Sequence, residues 1–290
     1  MTRLRSLKSL MIRFFQQSNR GLAATLNRAI SLARGKYIAR QDQDDVSFPL
    51  RLQKQIEFLD THPSVAMVGT AAEILVGNER TNRLQDHPAD DGLLKFNLLF
   101  NNYFVHSSVM IRHSVLEELG GYSEDKSRQP PEDYELWSRV MRKYKLANLP
   151  DVLMAYREVP GSMSRTGVNP FLRNLVKISA ENIAWASGRA ADSPEVIALS
   201  KLCHGIYDDI PRGIGFPQME TTLKEAALRI AKASGISYRL LEPVFRARIR
   251  RLRYNYLDYR SGGSVGRMMN SRAGNHVKKV AARILKGMHL

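Results

Sequence analysis

The chain has very little cysteine and no long apolar run. Its single cysteine, Cys203, excludes an intramolecular disulfide framework and a zinc cluster built from cysteines. No stretch approaches the roughly 20 apolar residues that a membrane-spanning helix needs. The N-terminal segment places charges among its apolar positions, so it lacks the apolar core of a secretory signal. The sequence therefore predicts a cytoplasmic protein, either free or resting on the inner face of the membrane.

Acidic residues are scarce relative to basic ones. The 290 residues include 44 lysines and arginines against 28 aspartates and glutamates, which gives a formal charge of +16. This balance favours anionic partners, namely nucleic acid, phospholipid head groups or phosphorylated substrates. The hydrophobic fraction of 43% is enough for a core, and the length fits one large domain or two ordinary ones.

Strand and helix patterns alternate in the first part of the chain. Apolar runs predict strands at residues 10–15, 37–41, 65–69, 71–76, 105–112 and 152–156. We expect Asn19 to cap the first helix, and Ser47 and Pro49 to open the second. The polar segment 77–91 is predicted to be a loop.

The second predicted helix has Leu52, Ile56 and Leu59 on one face, which we expect to be buried. Beyond residue 169 the strand patterns stop and helical patterns dominate. The sequence therefore predicts an α/β domain over residues 1–165 and a basic, mainly α-helical region over residues 166–290.

Three aspartates, Asp42, Asp44 and Asp45, follow the predicted strand at 37–41. Carboxylates this close repel one another, so a cation or a set of hydrogen-bond donors must hold them together. Hard oxygen ligands suit Mg²⁺ or Mn²⁺, and the carboxyl ends of strands are where ligands bind in α/β sheets. The cluster predicts a metal–nucleotide site. The alternative makes Asp45 and Ser47 helix caps and leaves the other two aspartates on the surface.

A second candidate is the pair Glu132 and Asp133, which follows two prolines and opens a predicted helix beside Trp137. Acidic residues also favour the first turn of a helix for electrostatic reasons alone. A carboxylate at this position could remove a proton from a hydroxyl that faces the metal site. His106, at the start of an apolar strand, is either a site residue or a structural one.

Read in order, these segments resemble the family 2 glycosyltransferases of the GT-A fold. Asp42-Gln43-Asp44-Asp45 resembles the metal-binding DXD segment of that family. The other matching segments are residues 19–22, 35–40, 49–59, 62–63, 68–69, 106–112, 120–122 and 132–137. The resemblance covers about residues 10–165 and implies a Rossmann-like GT-A domain, here truncated.

The resemblance also implies a reaction and a role for each matching residue. A sugar would move from a nucleotide-diphosphate donor to the hydroxyl of a saccharide or lipid-linked acceptor in one inverting displacement. The general base would be Asp133. Asp42 and Asp44 would bind Mg²⁺ or Mn²⁺. The nucleotide or diphosphate would contact Asp42, Arg40 and Asn19. The acceptor side would include Glu132, Trp137 and His106.

Two departures from the family pattern affect this expectation. The family begins with two strand–helix units that form most of the nucleotide-base pocket, and they are absent before residue 10. Their loss would uncover sheet edges, so we expect this exact chain to be a poor catalyst alone. A mis-assigned start, a missing N-terminal half supplied in trans and a decayed remnant stay open as explanations. The family also often has a histidine near the metal where this chain has Val159, which predicts weaker or altered metal binding.

The rival interpretation is a non-catalytic basic module. Residues 238–260 interleave arginines with aromatic residues, namely Arg246, Arg248, Arg250, Arg251 and Arg253 with Phe245, Tyr254, Tyr256 and Tyr259. Such a mixture could contact phosphates and stack bases, or lie on anionic lipid, or form a solvated helical face. If sugar transfer holds, we favour the membrane surface over nucleic acid, because lipid-linked acceptors are found there.

Overall fold

Strands and helices alternate through the first half of the chain, as the apolar periodicity predicts. The computed structural model describes residues 12–158 and 171–263. The strands are β1 (Tyr37–Ala39), β2 (Val46–Ser47), β3 (Val65–Val76), β4 (Glu79–Gln85), β5 (Met110–Arg112) and β6 (Lys145–Glu158). The helices between them are α1 (Leu22–Leu32), α2 (Arg51–Thr61), α3 (Asp91–Leu98), α4 (His113–Leu119) and α5 (Glu132–Lys143).

The strands form one mixed sheet in the order β1-β5-β3-β6-β2, with β4 paired to β3. The two long strands, β3 and β6, lie side by side and parallel, from Val65 opposite Lys145 to Val76 opposite Glu158. Their carboxyl ends therefore lie at one end of the sheet and their amino ends lie at the opposite end. The two sites described below lie at these two ends.

Helices alone follow in residues 171–263, which confirms the predicted helical region. They are α6 (Phe171–Ser187), α7 (Pro194–Cys203), α8 (Phe216–Ser234) and α9 (Tyr238–Arg260). These helices share one apolar core with α3 and α5, in which the rings of Phe96 and Phe245 lie 6.4 Å apart. In the described ranges, no helix is both long enough and apolar enough to cross a membrane. The division at residues 165 and 166 falls outside these ranges and stays a prediction.

Polar side chains make part of the core contacts of α2, where the sequence predicts apolar ones. Leu59 is buried as expected, but Leu52 and Ile56 are 49% and 40% exposed, while Arg51 and Gln55 are buried. The Gln55 amide donates to backbone carbonyls of β3 and of the segment before β5, at 3.1 and 2.7 Å. Because buried carbonyls need donors, this helix face had to be polar. Hydrophobic periodicity could not reveal that need.

Two predictions near the N-terminus are also wrong. The described part of the predicted strand at 10–15 is not a strand, since residues 12–15 pair with no neighbouring strand. Asn19 does not cap α1, because Gly21 takes that position with a φ of 85°. Instead, the Asn19 side chain accepts a hydrogen bond from the Gly21 amide at 2.9 Å and fixes the turn before the helix.

The remaining differences concern the boundaries of elements. Ser47 and Pro49 do not open α2, because that helix begins at Arg51 after a cap at Leu50, and Ser47 lies in β2. The predicted loop at 77–91 contains β4, which folds back on β3 after a turn at Gly77, where φ is 62°. Both faces of β4 are largely exposed, so its sequence lacks the apolar alternation that marks a half-buried strand. The predicted strands at 65–69 and 71–76 are one strand. The predicted strand at 105–112 begins with a 3₁₀ turn over His106–Ser108 before β5.

Candidate active site

The segment after β1, residues 40–45, forms an acidic loop that Ser107 anchors. The Ser107 hydroxyl accepts a hydrogen bond from the Asp42 amide and donates to the Asp42 carboxylate, both at 3.0 Å. Arg40, which is buried, makes an ion pair with the same carboxylate. Burial opposes ionisation of Asp42, but the hydrogen bond and charge of Arg40 outweigh it and hold the pKa below its ordinary value.

Arg157, near the end of β6, closes the other side of this loop. Its backbone amide donates to Asp45 Oδ1 at 2.8 Å, and its Nε donates to the Asp44 carbonyl at 2.8 Å. The second oxygen of Asp45 is buried and has no hydrogen-bond partner among the described residues. Burial, followed by the charges of Asp42 and Asp44, raises the pKa of Asp45. An unpartnered carboxylate oxygen in this setting calls for a cation or a proton.

The three carboxylates converge well enough to hold a cation. Asp42, Asp44 and Asp45 (the aspartate triad) each offer one oxygen, and these atoms all lie within 4.8 Å of one another. Hard oxygen donors of this kind fit Mg²⁺ or Mn²⁺. Asp45 was missing from the ligands predicted on sequence. The residues present therefore fit a divalent cation.

Arg51, at the start of α2, fixes the acidic loop through hydrogen bonds. Its guanidinium donates to the Arg40 carbonyl at 2.7 Å, to Gln41 Oε1 at 2.8 Å and to Ser47 Oγ at 2.7 Å. Burial and then the neighbouring charge of Arg40 lower its pKa to about 10. Sequence reasoning missed this residue because an arginine at the start of a helix gives no sign of being buried.

Asp133 lies in the first turn of α5, on another wall of the same cleft. Its Oδ2 accepts a hydrogen bond from Asn102 Nδ2 at 2.7 Å, and its Oδ1 accepts one from the Tyr134 amide at 2.7 Å. Burial, and then the charge of Glu132, raise the pKa of Asp133 to about 7. A carboxyl group with this pKa is close to half ionised at neutral pH. It can therefore accept a proton there.

His106 lies next to Asp133 and stays neutral. Its Nδ1 is 3.9 Å from Asp133 Oδ2, and its Nε2 shares a hydrogen bond of 2.8 Å with the Tyr122 hydroxyl. Burial and the charge of Arg40 lower the pKa of His106 to about 3. Trp137 packs edge-on behind this imidazole, with ring centroids 5.9 Å apart, and is 1% exposed. It supports His106 from the core and does not line the cleft.

Six of the eight residues named on sequence meet in one cleft of ≈ 770 Å³. They are Arg40, Asp42, Asp44, His106, Glu132 and Asp133. Asn19 and Trp137 are not among its lining residues. Sequence reasoning also missed Ser107 and Asn102, which orient Asp42 and Asp133. Ser107 lies in the family-like segment 106–112, but the resemblance gave it no role, and one of two adjacent asparagines carries no distinctive pattern.

With this geometry established, comparison with known sequences identifies the family. Residues 3–120 match the profile of Glycosyl transferase family 2. This part of the chain is therefore similar to the family 2 glycosyltransferases. EpsE, a predicted glycosyltransferase of Bacillus subtilis, is 34% identical over 166 residues, which are 56% of this chain and 58% of EpsE. The predicted resemblance to this family is confirmed.

Two further relatives match a similar part of the chain at a similar identity. The amylovoran biosynthesis glycosyltransferase AmsE of Erwinia amylovora is 34% identical over 49% of this chain and 52% of its own length. The O-antigen biosynthesis glycosyltransferase WbnJ of Escherichia coli is 32% identical over 47% of this chain and 53% of its own length. The chain thus spans about half the length of the curated glycosyltransferases that it matches.

Solved structures resemble the chain more distantly. TarS of S. aureus in complex with UDP-GlcNAc is 18% identical, with a TM-score of 0.47, over 86% of this chain and 74% of that one. The mannosyltransferase PcManGT of Pyrobaculum calidifontis, in complex with GDP-Man and Mn²⁺, is 18% identical with a TM-score of 0.37, over 86% of this chain and 64% of that one. At these scores the family assignment comes from the sequence matches alone.

Proposed function

We propose that this glycosyltransferase moves a sugar from a nucleotide-diphosphate donor to a hydroxyl acceptor, with inversion and with a divalent cation. The observation that carries the proposal is the position of Asp133. Its carboxyl group, with a pKa raised to about 7, lies in the same cleft as the aspartate triad. A general base and a diphosphate-binding metal site are the two parts that this reaction needs.

In the proposed reaction, Asp133 takes the proton of the acceptor hydroxyl as its oxygen attacks the anomeric carbon. The bond from that carbon to the diphosphate oxygen breaks on the opposite face, so the products are the inverted glycoside and a nucleoside diphosphate. Asn102 fixes the Asp133 carboxylate through its hydrogen bond of 2.7 Å to Oδ2. Glu132 and His106, which also line the cleft, would form its acceptor side.

The aspartate triad would hold Mg²⁺ or Mn²⁺, with Asp45 added to the two ligands predicted on sequence. A bound divalent cation would neutralise charge on the leaving diphosphate. Arg40 keeps Asp42 ionised, which is the state that a metal ligand needs. Arg51 and Ser107 keep the acidic loop in the geometry in which the three carboxylates converge.

The metal site can be tested before the donor is known. We expect the Asp44→Asn variant to bind Mn²⁺ at least about tenfold more weakly than the wild-type protein, since even changes around a metal ligand have effects of that size. Asp192→Asn is the matched control, because Asp192 is an exposed aspartate outside the cleft. Titration followed by electron paramagnetic resonance of free Mn²⁺ measures both. Equal affinity in all three proteins would contradict the metal assignment.

The base is tested by sugar transfer. The wild-type protein and the Asp133→Asn variant are incubated with a panel of nucleotide sugars and saccharide or lipid-linked acceptors, and products are detected by mass spectrometry. We expect weak transfer by the wild-type chain, in line with its expected low activity alone, and none by the variant. The relatives named for amylovoran and O-antigen biosynthesis support the choice of saccharide acceptors. Undiminished turnover by Asp133→Asn would overturn the role of Asp133.

The anionic membrane surface is the macromolecular partner that we propose for the basic helix α9. Arg246 and Arg250 are exposed one turn apart on this helix. The aromatic residues of α9 are less available for base stacking, because Phe245 is buried and Tyr254, Tyr256 and Tyr259 are half-buried. We therefore expect co-sedimentation with anionic vesicles that decreases with salt. A gel shift with nucleic acid under the same conditions would favour the rival interpretation.

A further inference from the structure

A second concave site lies at the amino ends of the long strands β3 and β6, opposite the candidate active site. Its volume is ≈ 440 Å³, and it is formed near Ser64 and Lys145, which precede or begin the long parallel strands. Helices α3, α5, α6 and α8 supply the other walls. The acidic loop lies near the carboxyl ends of the same strands, where Arg157 contacts Asp45. The two sites are therefore separate.

This second site is lined by cations and by no acidic residue of the described chain. The five cationic residues of this basic cavity are Lys95, Arg142, Lys143, Lys145 and Arg229. Lys95 and Lys143 each have a carboxylate partner at 3.0 Å, and Arg142 has one at 3.9 Å. Lys145 and Arg229 have no carboxylate partner among the residues that the structure describes. The cavity therefore retains uncompensated positive charge.

Helix electrostatics accounts for only part of this cluster. Cations favour the last turn of a helix, and Arg142 and Lys143 occupy the last turn of α5. Lys145 instead begins β6, and Arg229 lies before the last turn of α8, whose basic residue is Lys232. Helix electrostatics therefore does not account for these two cations, both of which are exposed to solvent.

Two features suggest that the cavity is prepared for an anion. The Nε of Arg142 is buried and has no hydrogen-bond acceptor among the described residues. The guanidinium of Arg229 occupies the space beside Gly188, where an added Cβ would lie 2.0 Å from its Nη1. The cavity thus combines the exposed guanidinium of Arg229 with that of Arg142, whose hydrogen-bonding capacity is only partly used, and guanidinium groups bind oxyanions well.

Trp185 gives the cavity an aromatic wall. It is 36% exposed and lines the cavity beside the cations. A half-open indole next to several cations can accommodate the ring of a ligand whose phosphate contacts the cations. The volume is also within the range of small-molecule sites, about 300–1,000 Å³.

We propose that the basic cavity binds a phosphorylated small molecule, with its phosphate on Arg142, Lys145 and Arg229 and its ring beside Trp185. This proposal does not depend on the activity of the cleft. Sugar transfer by the cleft and anion binding by the cavity can each be present without the other.

Tryptophan fluorescence provides a local measurement. The chain has two tryptophans, and Trp137 is 1% exposed in the core, so Trp185 is the accessible reporter. The full chain is titrated with inorganic phosphate, uridine monophosphate and uridine, in the presence of a chelator so that no divalent cation supports diphosphate binding in the cleft. Calorimetry of the same titrations gives affinities that do not depend on the reporter.

Matched variants define the site. Arg229→Gln and Lys145→Gln each remove one charge from the cavity, whereas Lys224→Gln removes one from an exposed position on α8 outside it. Thermal unfolding checks that all variants are folded. We expect each cavity variant to bind uridine monophosphate about tenfold more weakly, because each loses a charge-assisted contact. The control should bind as the wild-type protein does.

The outcomes separate clearly. Binding of phosphate and uridine monophosphate but not uridine, weakened only by the cavity variants, would support the proposal. Equal weakening by Lys224→Gln would mean that net charge alone governs binding and would overturn it. A lack of binding by calorimetry, or an unchanged response in Trp185→Phe together with unchanged affinity in Arg229→Gln, would overturn it as well.

Discussion

Replacing Asp133 by asparagine should change how stability depends on pH, whether or not a donor is known. The pKa of Asp133 rises from 3.8 to about 7 in the folded protein, chiefly by burial. In the unfolded chain the same carboxyl group ionises near its ordinary pKa. Folded wild-type protein therefore retains a proton that the unfolded chain releases as the pH rises from about 4 to about 7. Its stability falls over that interval and levels off above it.

The size of the effect follows from the shift. Each pKa unit corresponds to about 1.36 kcal/mol, so a shift of about three units gives about 4 kcal/mol. The Asp133 side chain keeps 17% of its surface exposed, so water in the cleft will weaken the burial effect. We therefore expect the Asp133→Asn variant, which cannot ionise, to gain about 2–4 kcal/mol relative to wild type between about pH 4 and about pH 8.

Urea unfolding followed by circular dichroism measures this difference. Wild type, Asp133→Asn and the exposed control Asp192→Asn are unfolded at one-unit steps over that range. The free-energy difference between Asp133→Asn and wild type should rise from about pH 4 to about pH 7 and then level off. The control should remain parallel to wild type throughout.

The reasoning would be refuted by a difference that is constant over the whole range. A free-energy difference that falls with pH would contradict the reasoning more strongly, because it would mean that the native structure lowers the pKa of Asp133. In that case Asn102 and the Tyr134 amide would stabilise the carboxylate more than burial destabilises it. Asp133 would then be fully ionised at neutral pH.

Two further predictions concern the structural support of the cleft. Arg51→Lys should lower the free energy of unfolding by about 2 kcal/mol, since the buried Arg40 carbonyl loses its donor. The control Arg250→Lys, on the exposed face of α9, should change that free energy little. Equal urea midpoints for the two variants would contradict this prediction. Gly69→Ala should cost about 1–3 kcal/mol, because the new Cβ would lie 2.2 Å from Asn148 Oδ1. An unchanged midpoint would mean that the asparagine moves aside freely.

Local sequence signals determined several parts of the protein. The apolar runs and their periods predicted the α/β order and the helical end, because core-facing residues must repeat with the period of their element. The acidic cluster after β1 and the pair that opens α5 were identified as the two chemical centres. Both line the same cleft, together with Arg40 and His106. Motifs of adjacent residues are local, so they can be recognised without the fold.

Tertiary structure alone decided which polar residues support these centres. Asp45 meets Arg157 across 112 positions of sequence, and Asn102 meets Asp133 across 31. Arg51 is buried where Leu52 was expected, because backbone carbonyls at that position need donors. The residue type at each position shows how polar that position is. Only the fold determines which buried acceptor a side chain satisfies, and so which residues hold the site in shape.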